Sequence, residues 1–250
     1  MFLKKIVSLL LFVSLSVGIL PAADDHNLTD TQLHAFLGIV TNFILSDGIV
    51  YHGLRYKVVT SPYTGHKWLD RNLGATQVCT SFDDVACYGD YYQWGRNYDG
   101  HQHSTSGTTN ILATDINAAG NKFITNSNSP HDWASVDNDG LLRSANWSKT
   151  DGTSVCPTGY KVPTLSELRA ELLDVDSAEI QNRNDAFNSF LKFPSAGGHH
   201  SNDADMFNVG LWGYVWTSGN HPRNISFGSN SASSSGSYRA HGFSVRCLKD

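Results

Sequence analysis

Charge is scarce in this chain of 250 residues: Lys, Arg, Asp and Glu make up 16% of it, against roughly 25% in an average domain. Basic residues are the minority, 18 against 23 acidic, and the formal net charge is −5. The chain carries no basic footprint, so a nucleic-acid partner is disfavoured. After the first twenty-odd residues no long apolar stretch occurs, which leaves no further candidate for a transmembrane segment. Cysteines are few and their spacing does not suit zinc: there is no C-x2-C, and no His pair sits at ligand spacing beside a Cys. The Gly-x-Ser-x-Gly turn of a serine hydrolase is also missing. What is present excludes ordinary disorder. Hydrophobic residues are 40% and aromatics 11%, and the length suffices for a core in one large domain or two small ones.

The N-terminus reads as a signal peptide over residues 1–22. Lys4 and Lys5 form its basic start, an apolar run follows from Ile6 to Ile19, and Leu20 and Ala22 suit the positions before a cut. Export to the cell surface, the medium or the periplasm is the expectation. Residues 23–48 form a second segment, in which Leu33, Phe36, Leu37, Val40, Phe43 and Ile44 recur at helical spacing behind a Thr29–Gln32 capping pattern. In an oxidising compartment Cys79, Cys87, Cys156 and Cys247 read as disulfides, with three pairings open. The favoured one is Cys79–Cys87, across a short acidic loop, with Cys156–Cys247 tying mid-chain to the last strand.

Residues 49–250 read as one α+β, loop-rich domain. Leu54, Tyr56 and Val58 alternate with Arg55 and Lys57, Ser61 to Gly65 is turn chemistry, and Lys67 to Leu73 returns as a strand. Asp70 and Arg71 inside that strand read as a hydrogen-bonded structural pair. Residues 97–155 show little periodicity and form an unusually long loop region. Thr164 and Glu167 cap a helix from about 165 to 174, and another runs from about 184 to 191. Strand-like pieces follow at Gly213 to Thr217, Asn224 to Phe227 and His241 to Leu248, with Phe243, Val245 and Cys247 on one face. Residues 229–237 read as a low-complexity turn.

Several tags in order resemble one known family. They include Trp68-Leu-Asp-Arg-Asn-Leu-Gly-Ala75, Cys87-Tyr-Gly-Asp-Tyr-Tyr-Gln-Trp-Gly-Arg96, Cys156-Pro-Thr-Gly-Tyr-Lys-Val-Pro-Thr164, Phe193-Pro-Ser-Ala-Gly197, Trp216-Thr-Ser218 and Ser244-Val-Arg-Cys-Leu-Lys-Asp250. Together they resemble the Fibrobacter succinogenes major paralogous domain, over about residues 49–250. The resemblance implies a C-type-lectin-like fold, related to the Lcl C-terminal domain and to formylglycine-generating enzymes. It implies paired N- and C-terminal strands, two helices and a long-loop region presenting a ligand, and it supports Cys156–Cys247. The chain departs from the family at Gly198-His199-His200 and at Val215-Trp216-Thr217-Ser218, both where lectin-like domains face their ligands.

Calcium is the lectin question, and it wants six to eight oxygens. The Glu-Pro-Asn, Gln-Pro-Asp and Trp-Asn-Asp motifs of sugar-binding lectins are absent. Asp137-Asn138-Asp139-Gly140 and Ser201-Asn202-Asp203-Ala204-Asp205 are oxygen-rich, yet read more simply as turns. No metal site is assigned; calcium stays open as a cofactor. His101 and His103 read as surface loop residues. His131-Asp132 has no evident Ser partner. The candidate ligand carriers are Tyr91, Trp94, His199, His200, Trp212, Tyr214 and Trp216, with Trp94 and Trp216 also suiting a core. The reading is an exported, non-enzymatic adhesion module for an extracellular glycan, polysaccharide or surface protein. The alternatives are a metal-using oxidase akin to formylglycine-generating enzymes, which needs free thiols, and a structural surface protein without a soluble ligand.

Overall fold

Two short hairpins open the described part of the chain. In the first, β1 (Ile49–Tyr51) pairs with β2 (Leu54–Tyr56) across His52-Gly53. Both turn residues have positive φ, 46° and 76°, as a tight hairpin with right-handed strand twist requires. In the second, β3 (Val58–Thr60) pairs with β4 (Lys67–Leu69). The computed structural model describes residues 48–175 and 179–250. The expected signal peptide and the helix expected within 23–48 lie outside the described residues.

The strand expected over Lys67 to Leu73 stops at Leu69. The Leu69 N–H donates to Cys247 O and the Leu73 N–H to Val245 O, so four steps of one chain face two of the other. The excess, Asp70-Arg71-Asn72, arches out of the ladder and is buried. Arg71 Nη1 bonds Asp70 Oδ1 at 2.8 Å, and its Nε donates to Ala75 O. The two charges do form a structural pair.

The end of the chain returns to its beginning. β15 (Leu248–Lys249) lies between β4 and β8 (Tyr160–Lys161), with Leu248 opposite Trp68. The single strand expected over His241 to Leu248 is corrected as well, because it is broken into β14 (Gly242–Phe243) and β15. The break falls where the chain leaves one sheet for another. β14 sits between β5 (Tyr92–Gln93) and β9 (Gly198–His199), with β10 (Met206–Phe207) outside β9. Ser244 meanwhile bonds across to β11 (Gly213–Thr217).

β11, β12 (Arg223–Phe227) and β13 (Ala232–Gly236) form an antiparallel meander. Residues 229–237 are therefore not simply a turn. β13 is an edge strand whose ladder uses backbone groups, so a run of serines suffices and its composition hides it. A short parallel pair, β6 (Thr108–Thr109) with β7 (Phe123–Ile124), lies in the long-loop region.

Three α-helices occur among the described residues. α1 (Leu141–Trp147) has no counterpart in the sequence pattern. α2 (Leu165–Leu172) carries the full reciprocal capping box between Thr164 and Glu167. α3 (Arg183–Asn188) starts on an Asn182 cap and ends earlier than residue 191. It stops at Ser189, whose backbone turns extended (φ −60°, ψ 163°) while its N–H closes the last turn on Asp185 O. None of the described helices is long and apolar enough to cross a membrane.

The core has two main parts. One holds Trp94, Trp147, Trp216, Tyr92, Phe243 and Val245 around the Cys156–Cys247 disulfide. The other packs Leu168, Leu172, Leu191 and Phe193 against Val215, Ile225 and Phe227. Phe243, Val245 and Cys247 all point inward. Cys79–Cys87 closes the second disulfide, so all four cysteines are bonded.

Candidate ligand-binding surface

The long-loop region is fixed by buried cations. Arg96 is fully buried; it bonds Asp99 Oδ2 at 2.8 Å and Gln93 Oε1 at 2.7 Å, and donates to the carbonyls of Lys122 and Gly120. Arg143, on α1, forks onto Asp132 at 2.5 and 3.0 Å and reaches Asp137 Oδ2 through Nε at 2.9 Å. The Asp137 carboxylate also accepts the N–H groups of Leu142 and Arg143, and Asp139 accepts that of Leu141. The oxygens that invited a calcium reading thus cap α1 and neutralise Arg143. These donors hold the Asp137 carboxyl below its usual range, against the opposing effect of burial. In the 201–205 turn, Asp203 accepts from Asp205 N and Asn202 Nδ2.

His101 is also part of this framework and not a surface loop residue. It is fully buried. Its Nδ1 lies 2.6 Å from Asp99 Oδ1, and its Nε2 faces the Gln93 N–H at 3.1 Å. Nε2 must accept, so Nδ1 carries the proton and the ring is neutral. Burial pushes its pKa down to about 4, Asp99 opposing. His103 is exposed and pairs with Asp90 at 2.9 Å.

Over this framework runs a ribbon of rings. His131 packs on Tyr238 with centroids 4.1 Å apart, and Tyr238 meets His241 at 5.2 Å. His241 lies 6.1 Å from His200 and 5.8 Å from Phe207. His200 stacks on Phe207 at 4.1 Å, Phe207 meets Tyr214 at 5.5 Å, and Tyr214 and Trp212 lie nearly parallel at 6.3 Å. Tyr238 is 48% exposed, and the other six rings are half-buried. Met206, Val209 and Leu211 add exposed apolar surface beside it. An open groove along its His241 end is lined by His221, Arg223, Ser237 and Tyr238.

Polar groups orient the rings. Ser237 Oγ lies 2.8 Å from His241 Nδ1, His131 Nδ1 is 3.0 Å from Asn126 O, and Asn208 Nδ2 donates to the Tyr214 hydroxyl at 2.8 Å. Burial, then the neighbouring His200 and His131, push the His241 pKa down to about 4. The ribbon is uncharged at neutral pH at that position. Trp212 lies flat against the backbone at Gly228, where a Cβ would come within 2.4 Å of its ring.

Of the sequence candidates, His200, Trp212 and Tyr214 meet on this ribbon. Tyr91, Trp94, Trp216 and His199 do not join its exposed face, because each is buried. The indole N–H of Trp94 donates to Thr217 O and that of Trp216 to Tyr92 O, both as core residues do. Tyr91 donates its hydroxyl to Ala196 O, and His199 Nδ1 bonds Ala204 O. The sequence reading misses His131, Phe207, Tyr238 and His241. They come from separate segments with no shared period, so only the fold assembles them. No protein-family model, no curated protein and no solved structure matches this chain.

Proposed function

We propose that this chain is an exported, non-enzymatic binding module of C-type-lectin-like fold whose ring ribbon takes a glycan or polysaccharide. The carrying observation is the unbroken series from His131 to Trp212, each ring partly open to solvent. Rings at intervals of about 4 to 6 Å can stack on successive sugar faces, and the histidines, Ser237 and Arg223 beside them supply hydrogen bonds. The fold assignment is supported by the pairing of Leu248 with Trp68 and by the disulfide from mid-chain to the last strand. Export is supported by the basic-then-apolar start and by the two disulfides. The oxidase alternative gains nothing here, since all four cysteines are bonded.

The test is binding of the purified protein to a polysaccharide and glycan panel, with calcium and with a chelator. Saturable binding is expected for the wild type. Trp212→Ala or Tyr238→Ala should weaken it about tenfold, the scale of one lost stacking contact of 1–2 kcal/mol. Binding that neither variant changes would sink the ribbon assignment. A blank panel would sink the glycan reading.

A further inference from the structure

A separate cavity of about 250 Å³ opens between the β1–β2 hairpin and the loop that follows β5. Tyr51, Tyr56, Tyr92 and Tyr98 line it, with Asp90 and His103. It shares no residue with the ribbon. Its walls are held in place before any ligand arrives. The Tyr51 hydroxyl donates to Val155 O at 3.0 Å, and the Gly74 N–H donates to the Tyr56 hydroxyl at 2.9 Å. The Tyr92 hydroxyl reaches Asp90 Oδ2 at 3.3 Å. At the mouth, His52 stacks on Tyr98 with centroids 3.6 Å apart.

Asp90 is the unusual member. Other buried aspartates meet arginine: Asp70 meets Arg71, and Asp132 meets both Arg143 and Arg239. Buried Glu171 also has an exposed imidazole as its ion-pair partner, His66 at 3.4 Å, but Ser61, Thr64 and the Trp68 indole donate to it as well. The ion-pair partner of Asp90 among the described residues is His103, an exposed imidazole. Burial pushes the Asp90 carboxyl up, with His103 opposing. A desolvated carboxylate so weakly matched, inside aromatic walls, favours a cation. The Tyr51 and Tyr92 hydroxyls already donate to Val155 O and Asp90, which leaves fewer donors for a polyol. Arg71, a fixed cation beside the wall, lies over Tyr56 at 4.3 Å but is neutralised by Asp70. The volume suits a compact head group better than a large ligand.

We propose that this cavity is a second binding site, for the alkylammonium group of a compact organic cation. The cation would sit among the tyrosine rings with Asp90 as counter-ion, displacing His103.

The full protein is titrated by calorimetry with choline and with 3,3-dimethylbutanol, its uncharged isostere. Saturable choline binding is expected, with the alcohol at least about tenfold weaker, since only the charge differs. Asp90→Asn and, separately, Tyr98→Ala should each weaken choline by about tenfold while circular dichroism stays unchanged. Tyr98→Phe should retain it. Vesicles of phosphatidylcholine distinguish the source: co-sedimentation competed by choline assigns a lipid head group, and choline binding without co-sedimentation assigns a soluble ligand. No choline binding at millimolar concentrations, equal binding of the alcohol, or indifference to Asp90→Asn would overturn the proposal. Trp212→Ala should leave choline binding intact, so failure here is separable from failure of the glycan reading.

Discussion

Residues 96–147 and the body around α2, α3, β11 and β12 bury their side chains by different chemistry. In the first, Arg96 and Arg143 are fully buried, and each gathers carboxylates and carbonyls from several turns. Two tryptophans seal it, with Trp133 donating to Trp94 O and Trp147 to Arg96 O. In the second, Leu168, Leu172, Phe193, Ile225 and Phe227 pack side against side, and apolar contact dominates although Arg246, stacked on Phe193, and Glu171 are buried there too. Loops need donors for their carbonyls, which the ladders of helix and sheet supply elsewhere. Long guanidinium forks meet that need with few residues. Irregular backbone can therefore be well fixed, provided charge is buried in compensated groups. Both candidate ligand sites draw on this region, His131 for the ribbon, Tyr98 and His103 for the cavity.

The largest effect expected is at the longer of the two disulfides. Cys156–Cys247 spans 91 residues and Cys79–Cys87 spans 8. Loop-closure entropy assigns roughly 4.5 kcal/mol to the long bridge and roughly 2.5 to the short one. Replacing both cysteines of the long bridge by Ala should lower Tm by about 9–18 °C, and the short pair by about half that. Thermal unfolding with equal losses for the two would break the entropic account.

Next comes Arg143→Ala. It leaves Arg239 as the ion-pair partner of Asp132, strips Asp137 of its side-chain partner and removes two carbonyl contacts. The cost should be about 3–5 kcal/mol, as for other broken buried ion pairs. Hydrogen exchange sharpens the comparison. The amides of Ala113 and Ser135, which bond across the loop region, should lose protection first. Those of β11 and β12 should keep theirs. Uniform loss across both regions would show that they unfold as one unit and are not separately held.

What is legible in the sequence follows the same divide. α2 is readable because Leu165, Leu168 and Leu172 repeat at helical spacing behind a Thr164–Glu167 box. β11 and β12 are readable from alternating apolar residues; cysteine arithmetic gives two disulfides but leaves three pairings open, and the favoured one is the pair observed. α1 is not, because it is seven residues long and rests on the Asp137 carboxylate and on Arg143, neither of which has a period. β13 is masked by its serines. In the candidate site the neighbours Trp212 and Tyr214 are found along one strand. His131, Phe207, Tyr238 and His241 are not, since long-range packing alone brings them together. Trp94 and Trp216 draw attention through polar neighbours that turn out to be parts of the buried hydrogen-bond framework.

The smallest effect distinguishes the regions by acid. His101 lies in the charged framework, whereas the cluster that Leu168 and Leu172 join is apolar. Its folded pKa of about 4 lies below the ordinary 6.5. Between those values the unfolded chain binds a proton that the folded ring refuses, so stability falls as pH falls. The contribution is complete above pH 6.5 and lost by about pH 4, of order 3 kcal/mol over the window. The geometry gives the same sign: a proton on Nε2 would set two donors against each other at the Gln93 N–H. His199 and His241 are depressed too and add to the slope, while Asp90, pushed up by burial, opposes it. A His101→Gln variant isolates the one group, because glutamine does not titrate. Denaturant unfolding from pH 6.5 to 4 should show a slope shallower than wild type by about 1.4 kcal/mol per pH unit. Parallel curves would mean that the imidazole is charged or solvated in the folded protein. The loop region would then owe its order to the arginines and the sealing tryptophans.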